Sequence, residues 1–166
     1  RRVTGNHHDL GVAVIFPELV RYSALRDKME TVMLKTLYIN LGNEYADFSI
    51  GILQMKPSFA EKIRYRAAKE LGRRARRLFI SRSSFKNERE YRASIISDLE
   101  DPVRQINYLI AFIRICESAF DLPKGTDRVK FLATAYNYDF SKSYDDIVRM
   151  QEAKYFSTKI YTTEYY

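Results

Sequence analysis

The stretch that decides the fold reads SIGILQMKPSFA and covers residues 49–60. Its apolar run opens at Gly51, is interrupted by one amide at Gln54 and is stopped by a proline, which can continue neither a strand ladder nor a helix interior. A buried amide needs a hydrogen-bonding partner, and a ligand can be that partner. Ser58, with Glu61 three residues later, predicts a helix start closed by a capping box. We therefore expect a fixed loop or short ribbon that leads into a helix and presents backbone groups and one amide to a cleft.

Residues 51–60 resemble the Gly-Leu-Met-Gln-x-x-Pro-x-Thr-Ala segment of lytic transglycosylases and goose-type lysozymes, which cut the glycan strand of peptidoglycan. Two further segments occur in the family's order. Residues 13–18, AVIFPE, are similar to the family's Ala-x-Ile-x-x-Glu element, and residues 133–137, ATAYN, are similar to its Ala-Tyr-Asn motif. Three elements in one order are a more specific signal than any one of them, and the resemblance covers about residues 10–140.

The resemblance implies a single, all-α, lysozyme-like domain over residues 1–166, with about eight helices around a central buried helix at 102–119 and little or no β structure. It also implies that Glu18 is the catalytic acid and that Asp47, just before the central stretch, is the second carboxylate. The other residues that the resemblance assigns to the site would bind the sugar: Ser49, Gly51, Leu53, Gln54, Tyr136 and Asn137.

Glu18 is also supported by its own surroundings. It lies at an expected helix junction beside Phe16 and Leu19, and an acid in apolar company has its charged form disfavoured, which raises its pKa as a general acid requires. The alternative is an ordinary surface glutamate in a first helical turn. Leu19 stands where the family has Ser. Glu30 lacks the preceding Ala-x-Ile pattern and Glu117 follows the glutamine motif, so both are weaker candidates.

The implied reaction is cleavage of the β-1,4 link between N-acetylmuramic acid and N-acetylglucosamine. In a lytic transglycosylase, Glu18 would protonate the glycosidic oxygen and then remove the muramoyl hydroxyl proton, which leaves a 1,6-anhydro sugar. In a muramidase, Asp47 would be the base for water, and the carboxylates of an inverting pair lie roughly 6.5–9.5 Å apart. Asp47 could equally be a loop residue that caps Gly51 or Ile50. A non-catalytic wall-binding module is a further alternative.

The charge of the chain favours an anionic partner, because 166 residues carry a net charge of +7 and the pI is near 9.4. Residues 73–77, RRARR, form the sharpest basic run. A helical apolar stripe continues through this run, so a solvated helix face ranks first, attraction to an anionic wall polymer second and nucleic acid third. No helix-turn-helix, zinc-finger or RNP signature is present. The expected partner is therefore the peptidoglycan glycan strand, and no nucleic acid.

The cysteine and histidine content of the chain bears on disulfides and metal binding. Cys116 is the single cysteine, so no intrachain disulfide can form, and with two histidines it fits no metal site. We expect neither metal nor cofactor. No stretch approaches the length needed to span a bilayer. The first residues contain no signal-like region, so we expect a mature or trimmed monomer in the periplasm or outside the cell, after an export signal that this chain does not contain.

Apolar spacing and capping signals predict the helices. The predicted N-caps are Ser58, Asn87, Asp101, Thr126 and Ser143, and a helix over 24–41 is predicted to stop at Gly42. On the helix at 102–119 we expect a buried face made of Val103, Ile106, Leu109, Ile110, Ile113 and Cys116. The tyrosine-rich tail, residues 155–166, could form a terminal ribbon, a carbohydrate-facing strip or an irregular end.

Overall fold

The computed structural model describes residues 28–152, 155–157 and 162–164. These residues are mostly helical, which confirms the helical class, while the lysozyme-like arrangement and the number of helices stay predictions. The chain groups into two compact units that divide between Ile115 and Cys116. Each unit is described by itself below.

The first unit consists of helices joined by short connections. Its elements are α1 (Lys28–Leu41), α2 (Pro57–Glu70), a 3₁₀ turn (Gly72–Arg74), α3 (Ala75–Leu78), a second 3₁₀ turn (Arg82–Ser84), α4 (Glu88–Glu100) and most of α5 (Pro102–Ala119). Helix α1 ends as predicted, because Gly42 has a φ of +100° and its N–H donates to Tyr38 O at 2.8 Å. A left-handed glycine is a common helix stop.

The starts of α4 and α5 also agree with the prediction. Asn87 Oδ1 accepts a hydrogen bond from Glu90 N–H at 2.9 Å, and Asp101 Oδ1 accepts one from Val103 N–H at 2.8 Å. Each side chain satisfies a backbone donor that the first helical turn leaves without a partner. These two caps fix where α4 and α5 begin.

A buried arginine joins α2 to α4 and α5. Arg64 donates from Nε to Tyr108 Oη at 2.6 Å, from Nη1 to Ser94 Oγ at 2.9 Å and from Nη2 to Asp98 Oδ2 at 2.7 Å. Tyr108 Oη in turn donates to Asp98 Oδ2 at 3.1 Å. A buried charge is tolerated when it is paired and hydrogen-bonded in this way. The network fixes the three helices around the core of the first unit.

The buried face of α5 differs from the prediction. Leu109, Ile113 and Cys116 are buried as expected, but Val103 and Ile106 are 68% and 46% exposed. The positions with no exposure at all are Gln105, Tyr108, Ala111, Phe112 and Ile115. The prediction was wrong at the N-terminal end of α5 because a polar side chain holds the buried position there, and an assignment by apolarity passes over it.

The second unit contains the last turn of α5, α6 (Arg128–Asn137), α7 (Tyr144–Glu152) and a short ribbon. The ribbon pairs β1 (Tyr155–Ser157) with β2 (Thr162–Glu164) in antiparallel register, which is the first of the three alternatives for the tail. Helix α7 has the predicted cap, with Ser143 Oγ accepting from Asp146 N–H at 3.1 Å. The predicted cap at Thr126 was wrong, because Asp127 caps α6 by accepting from Lys130 N–H at 3.0 Å. An aspartate adjacent to the predicted threonine supplies the stronger acceptor.

Over the described part of the chain, no helix combines the length and the apolarity needed to cross a bilayer.

Candidate functional site

The central stretch forms a tight turn that one antiparallel bridge closes. Ile50 N–H donates to Met55 O at 2.9 Å, and Met55 N–H donates to Ile50 O at 3.2 Å. Inside this bridge, Gln54 N–H donates to Gly51 O at 3.2 Å. The side chains of Ile50 and Met55 are buried, so apolar burial holds both ends of the turn in the first unit. The predicted short ribbon before a helix is confirmed. We refer to residues 50–55 as the bridge turn.

Two residues of the bridge turn have a left-handed backbone, Gly51 with φ +71° and Gln54 with φ +49°. Glycine adopts this conformation without strain, whereas a residue with a Cβ atom loses roughly 1–2 kcal/mol. Gly51 is also required for space. A Cβ atom there would lie 1.8 Å from Gln105 Nε2 and 2.7 Å from Leu99 O. One glycine therefore serves both the conformation of the turn and the close approach of a side chain.

The Gln54 amide, which we expected to face a cleft, is half-buried and makes a bond within the turn. Its Nε2 donates to Gly51 O at 2.8 Å, the same oxygen that accepts from Gln54 N–H. One of the two Nε2 hydrogens is thus already used. Among the described residues, none donates a hydrogen bond to Gln54 Oε1. Gln54 can therefore offer a ligand its acceptor oxygen as well as its second N–H.

Gln105 is a site residue that sequence reasoning missed. It is completely buried on α5, and its Oε1 accepts from Leu53 N–H at 2.9 Å. Its Nε2 donates to Ile50 O at 2.9 Å and to Leu99 O at 2.5 Å. These three hydrogen bonds join the bridge turn to α5 and the end of α4. The sequence did contain one indication of this role. Gln105 lies one helical turn before Tyr108, which places both residues on the same buried face of α5.

The other predicted sugar-binding residues of this stretch are Ser49 and Leu53. Ser49 is half-buried and directly precedes the bridge. The side chain of Leu53 is buried and its N–H donates to Gln105 Oε1. Several backbone groups of the turn therefore already make hydrogen bonds that stabilise its conformation.

Asp47, the predicted second carboxylate, is exposed and caps α2. Its Oδ1 accepts from Ser58 N–H at 3.0 Å, and its Oδ2 accepts from Ser58 Oγ at 2.7 Å. The predicted capping box of Ser58 with Glu61 was wrong, because α2 starts one residue earlier at Pro57, the first helical position that proline prefers. Asp47 therefore caps this helix from a distance in sequence, and both of its oxygens are engaged.

Glu61 is used in a different contact. Its Oε1 accepts from Tyr38 Oη at 2.6 Å and its Oε2 accepts from Asn43 Nδ2 at 3.0 Å. Burial, followed by the hydrogen bond to Glu61, raises the pKa of Tyr38 well above its usual range, so Tyr38 remains a donor. These bonds join α2 to the end of α1 and to the loop that leads into the bridge turn.

The structure brings together one group of the predicted site residues. Asp47, Ser49 and the bridge turn lie on one connection of the first unit. Tyr136 and Asn137 end α6 in the second unit, where both are half-buried and Asn137 Nδ2 donates to Ala133 O at 3.0 Å. Glu18 lies outside the described residues.

The basic run at residues 73–77 lies on the 3₁₀ turn and α3. Arg73 and Arg77 are exposed, while Ala75 and Leu78 are buried. The apolar stripe predicted through the basic run is therefore confirmed, and the ranking of its three interpretations stays a prediction.

Within the described ranges, no three His, Cys, Asp or Glu side chains gather in a way that could hold a metal ion. We compared the chain with protein-family models, curated proteins and solved structures. None of the three comparisons finds a match. The chemistry of the site must therefore be argued from its own residues.

Proposed function

We propose that this chain cleaves the β-1,4 bond between N-acetylmuramic acid and N-acetylglucosamine, as a lytic transglycosylase of the cell envelope. The observation that carries the proposal is the bridge turn, because the segment with the closest family resemblance is a rigid element that offers an amide oxygen at Gln54. Sugar hydroxyls and N-acetyl N–H groups are donors, and such an acceptor suits them.

The proposed mechanism needs one carboxyl group. Glu18 protonates the glycosidic oxygen as the bond to C1 breaks, and the muramoyl centre takes on oxocarbenium character. The Glu18 carboxylate then removes the proton of the muramoyl C6 hydroxyl, whose oxygen bonds to C1. The products are a 1,6-anhydromuramoyl end and a new N-acetylglucosamine hydroxyl, with no water consumed and no metal or cofactor required.

The transglycosylase version ranks first because it needs one carboxyl group. Asp47 is exposed and each of its oxygens accepts one hydrogen bond from Ser58, which leaves lone pairs that could accept a proton from water. The muramidase that uses Asp47 as the base is therefore the second candidate. A wall-binding module that lacks activity is the alternative from a different class.

The remaining site assignments belong to the same proposal. In the first unit the bridge turn and Ser49 would hold a sugar. In the second unit Tyr136 and Asn137 offer an apolar ring and polar groups suited to a saccharide. The chain acts as a monomer on peptidoglycan strands in the periplasm or outside the cell.

The test is a digest of purified peptidoglycan with fragments identified by mass spectrometry. We compare the wild type with Glu18→Gln, with Asp47→Asn and with the exposed control Glu88→Gln. Asparagine at position 47 can still accept from Ser58, so α2 keeps its cap while the base is removed. The proposal expects anhydromuropeptides from all variants except Glu18→Gln.

Other outcomes identify the alternatives. Reducing-end products that disappear in Asp47→Asn would establish the muramidase. Equal release by the wild type and Glu18→Gln would remove Glu18 from the mechanism. Binding to insoluble wall without release by any variant would make the chain a binding module.

A further inference from the structure

We propose that Gln105 is the positioning residue for the glycan-binding conformation of the bridge turn. The proposal rests on the proposed function, since it assigns a role in sugar binding to a side chain that cannot touch the sugar. Gln105 has no exposed surface, so its effect on a ligand must pass through the residues it holds.

The three hydrogen bonds of Gln105 reach both sides of the turn. Ile50 O lies at its first residue, Leu53 N–H lies near its end, and Leu99 O belongs to the last turn of α4. The bridge pairs the turn's two ends, and the bonds from Gln54 to Gly51 O stay within the turn. Gln105 adds side-chain bonds that tie the turn to α4 and α5.

No other side chain reproduces this pattern. A neutral amide presents two N–H donors and one acceptor oxygen. Here the two donors bond to two carbonyl oxygens, and the acceptor oxygen bonds to one backbone N–H. Methionine fills the volume but removes the acceptor of Leu53 N–H and a donor from each of the two carbonyls, of which Ile50 O keeps the bond from Met55 N–H. A carboxylate would face two carbonyl oxygens, which opposes its ionisation, so a glutamate here would hold its proton to a pH well above its usual range.

The effect reaches the ligand-facing acceptor in two steps. Gln105 fixes Ile50 O, and the next carbonyl, Gly51 O, accepts both hydrogen bonds from Gln54. The position of Gln54 Oε1 therefore depends on the bond that Gln105 makes. A displacement of about 1 Å in a substrate-positioning group can reduce turnover by about 100-fold.

The experiment measures kcat and KM on soluble peptidoglycan glycan strands for wild type, Gln105→Met, Gln105→Glu and Tyr108→Phe. Tyr108→Phe is the matched control, because it removes a buried hydrogen-bonding group from the same helix without touching the bridge turn. Urea unfolding of each variant separates stability from activity, and amide hydrogen exchange at Leu53 reports on the turn directly.

We expect Gln105→Met to raise KM about tenfold and to lower kcat/KM about 10- to 100-fold, with faster exchange at Leu53. Tyr108→Phe should lose stability and keep the wild-type KM. Gln105→Glu should approach the wild-type KM as the pH falls, because the protonated acid again has one donor and one acceptor. If Gln105→Met does not fold, the test is the pH dependence of KM for Gln105→Glu relative to that of the wild type. A KM ratio that does not fall towards one at low pH would contradict the positioning role.

Two results overturn the proposal, and they are distinguishable. An active wild type whose kcat and KM are matched by folded Gln105 variants contradicts the positioning role alone. A wild type that releases nothing from peptidoglycan contradicts the proposed function, and the positioning role in that function falls with it.

Discussion

One added methyl group at Gly51 tests the centre of the candidate site. In Gly51→Ala, the new Cβ would lie 1.8 Å from Gln105 Nε2, a distance that forces the amide to move. The left-handed φ of +71° costs alanine roughly 1–2 kcal/mol. Displacing the Gln105 amide endangers three buried hydrogen bonds at about 1 kcal/mol each. We therefore expect Gly51→Ala to lose about 4–5 kcal/mol of unfolding free energy.

A double-mutant cycle with Gln105→Ala isolates the contact between the two residues. That single substitution removes the same three hydrogen bonds and should cost about 3 kcal/mol or more. In the double variant the amide is already absent, so Gly51→Ala adds the φ strain and the contact of its Cβ with Leu99 O. The double variant should consequently be about 3 kcal/mol more stable than the sum of the single losses predicts.

The assay is urea unfolding of the four proteins, with free energies compared at equal denaturant slopes. Gly72→Ala is the matched control, because Gly72 has a φ of +52° and its Cβ would meet nothing within 4 Å. It should show strain of about 1 kcal/mol and no coupling to Gln105→Ala. Losses at Gly51 and Gln105 that add within about 0.5 kcal/mol would refute the close approach of the two residues.

Two further predictions concern the first unit. Asp98→Asn leaves the buried Arg64 guanidinium without its counter-charge and should lower the free energy of unfolding by about 3 kcal/mol. Glu88→Gln breaks an exposed ion pair and should lower it by less than about 1 kcal/mol. Equal losses in urea unfolding would contradict this ranking. Because the folded-state pKa of Tyr38 is raised, its stabilisation is present below about pH 10 and is lost as the pH rises further, so Tyr38→Phe should flatten the alkaline decline of stability. The exposed control Tyr65→Phe should keep the wild-type decline, and an unchanged decline in Tyr38→Phe would remove Tyr38 as its cause.

Local signals predicted the parts of the structure that local chemistry decides. The caps at Asn87, Asp101 and Ser143 were confirmed, as was the stop of α1 at Gly42. Each depends on a side chain and a backbone group at most three residues apart, or on the freedom of glycine. Such interactions are visible in a sequence because both partners lie inside one short window.

The errors occurred where a partner from elsewhere in the chain decides the outcome. Ser58 was predicted to cap α2 with Glu61, yet Asp47 supplies the cap and Glu61 bonds to Tyr38. Gln105 was missed because its three partners come from the bridge turn and α4, and no window around it contains the turn. A polar residue on an apolar helix face was the one available sign.

The candidate site also depends on an interaction between residues that are far apart in the sequence. The sequence pattern drew attention to the residues of the bridge turn, but their identity does not explain why the turn holds one shape. Gly51 is glycine because Gln105 occupies the space of its side chain, and Gln105 can enter that space because Gly51 lacks a Cβ atom. A Cβ atom at position 51 would displace the Gln105 amide, and loss of that amide would remove a donor from Ile50 O, the carbonyl next to the one that holds Gln54. If Gln54 Oε1 binds the sugar, the affinity of this site for glycan is set as much by this buried pair as by the groups that touch the ligand.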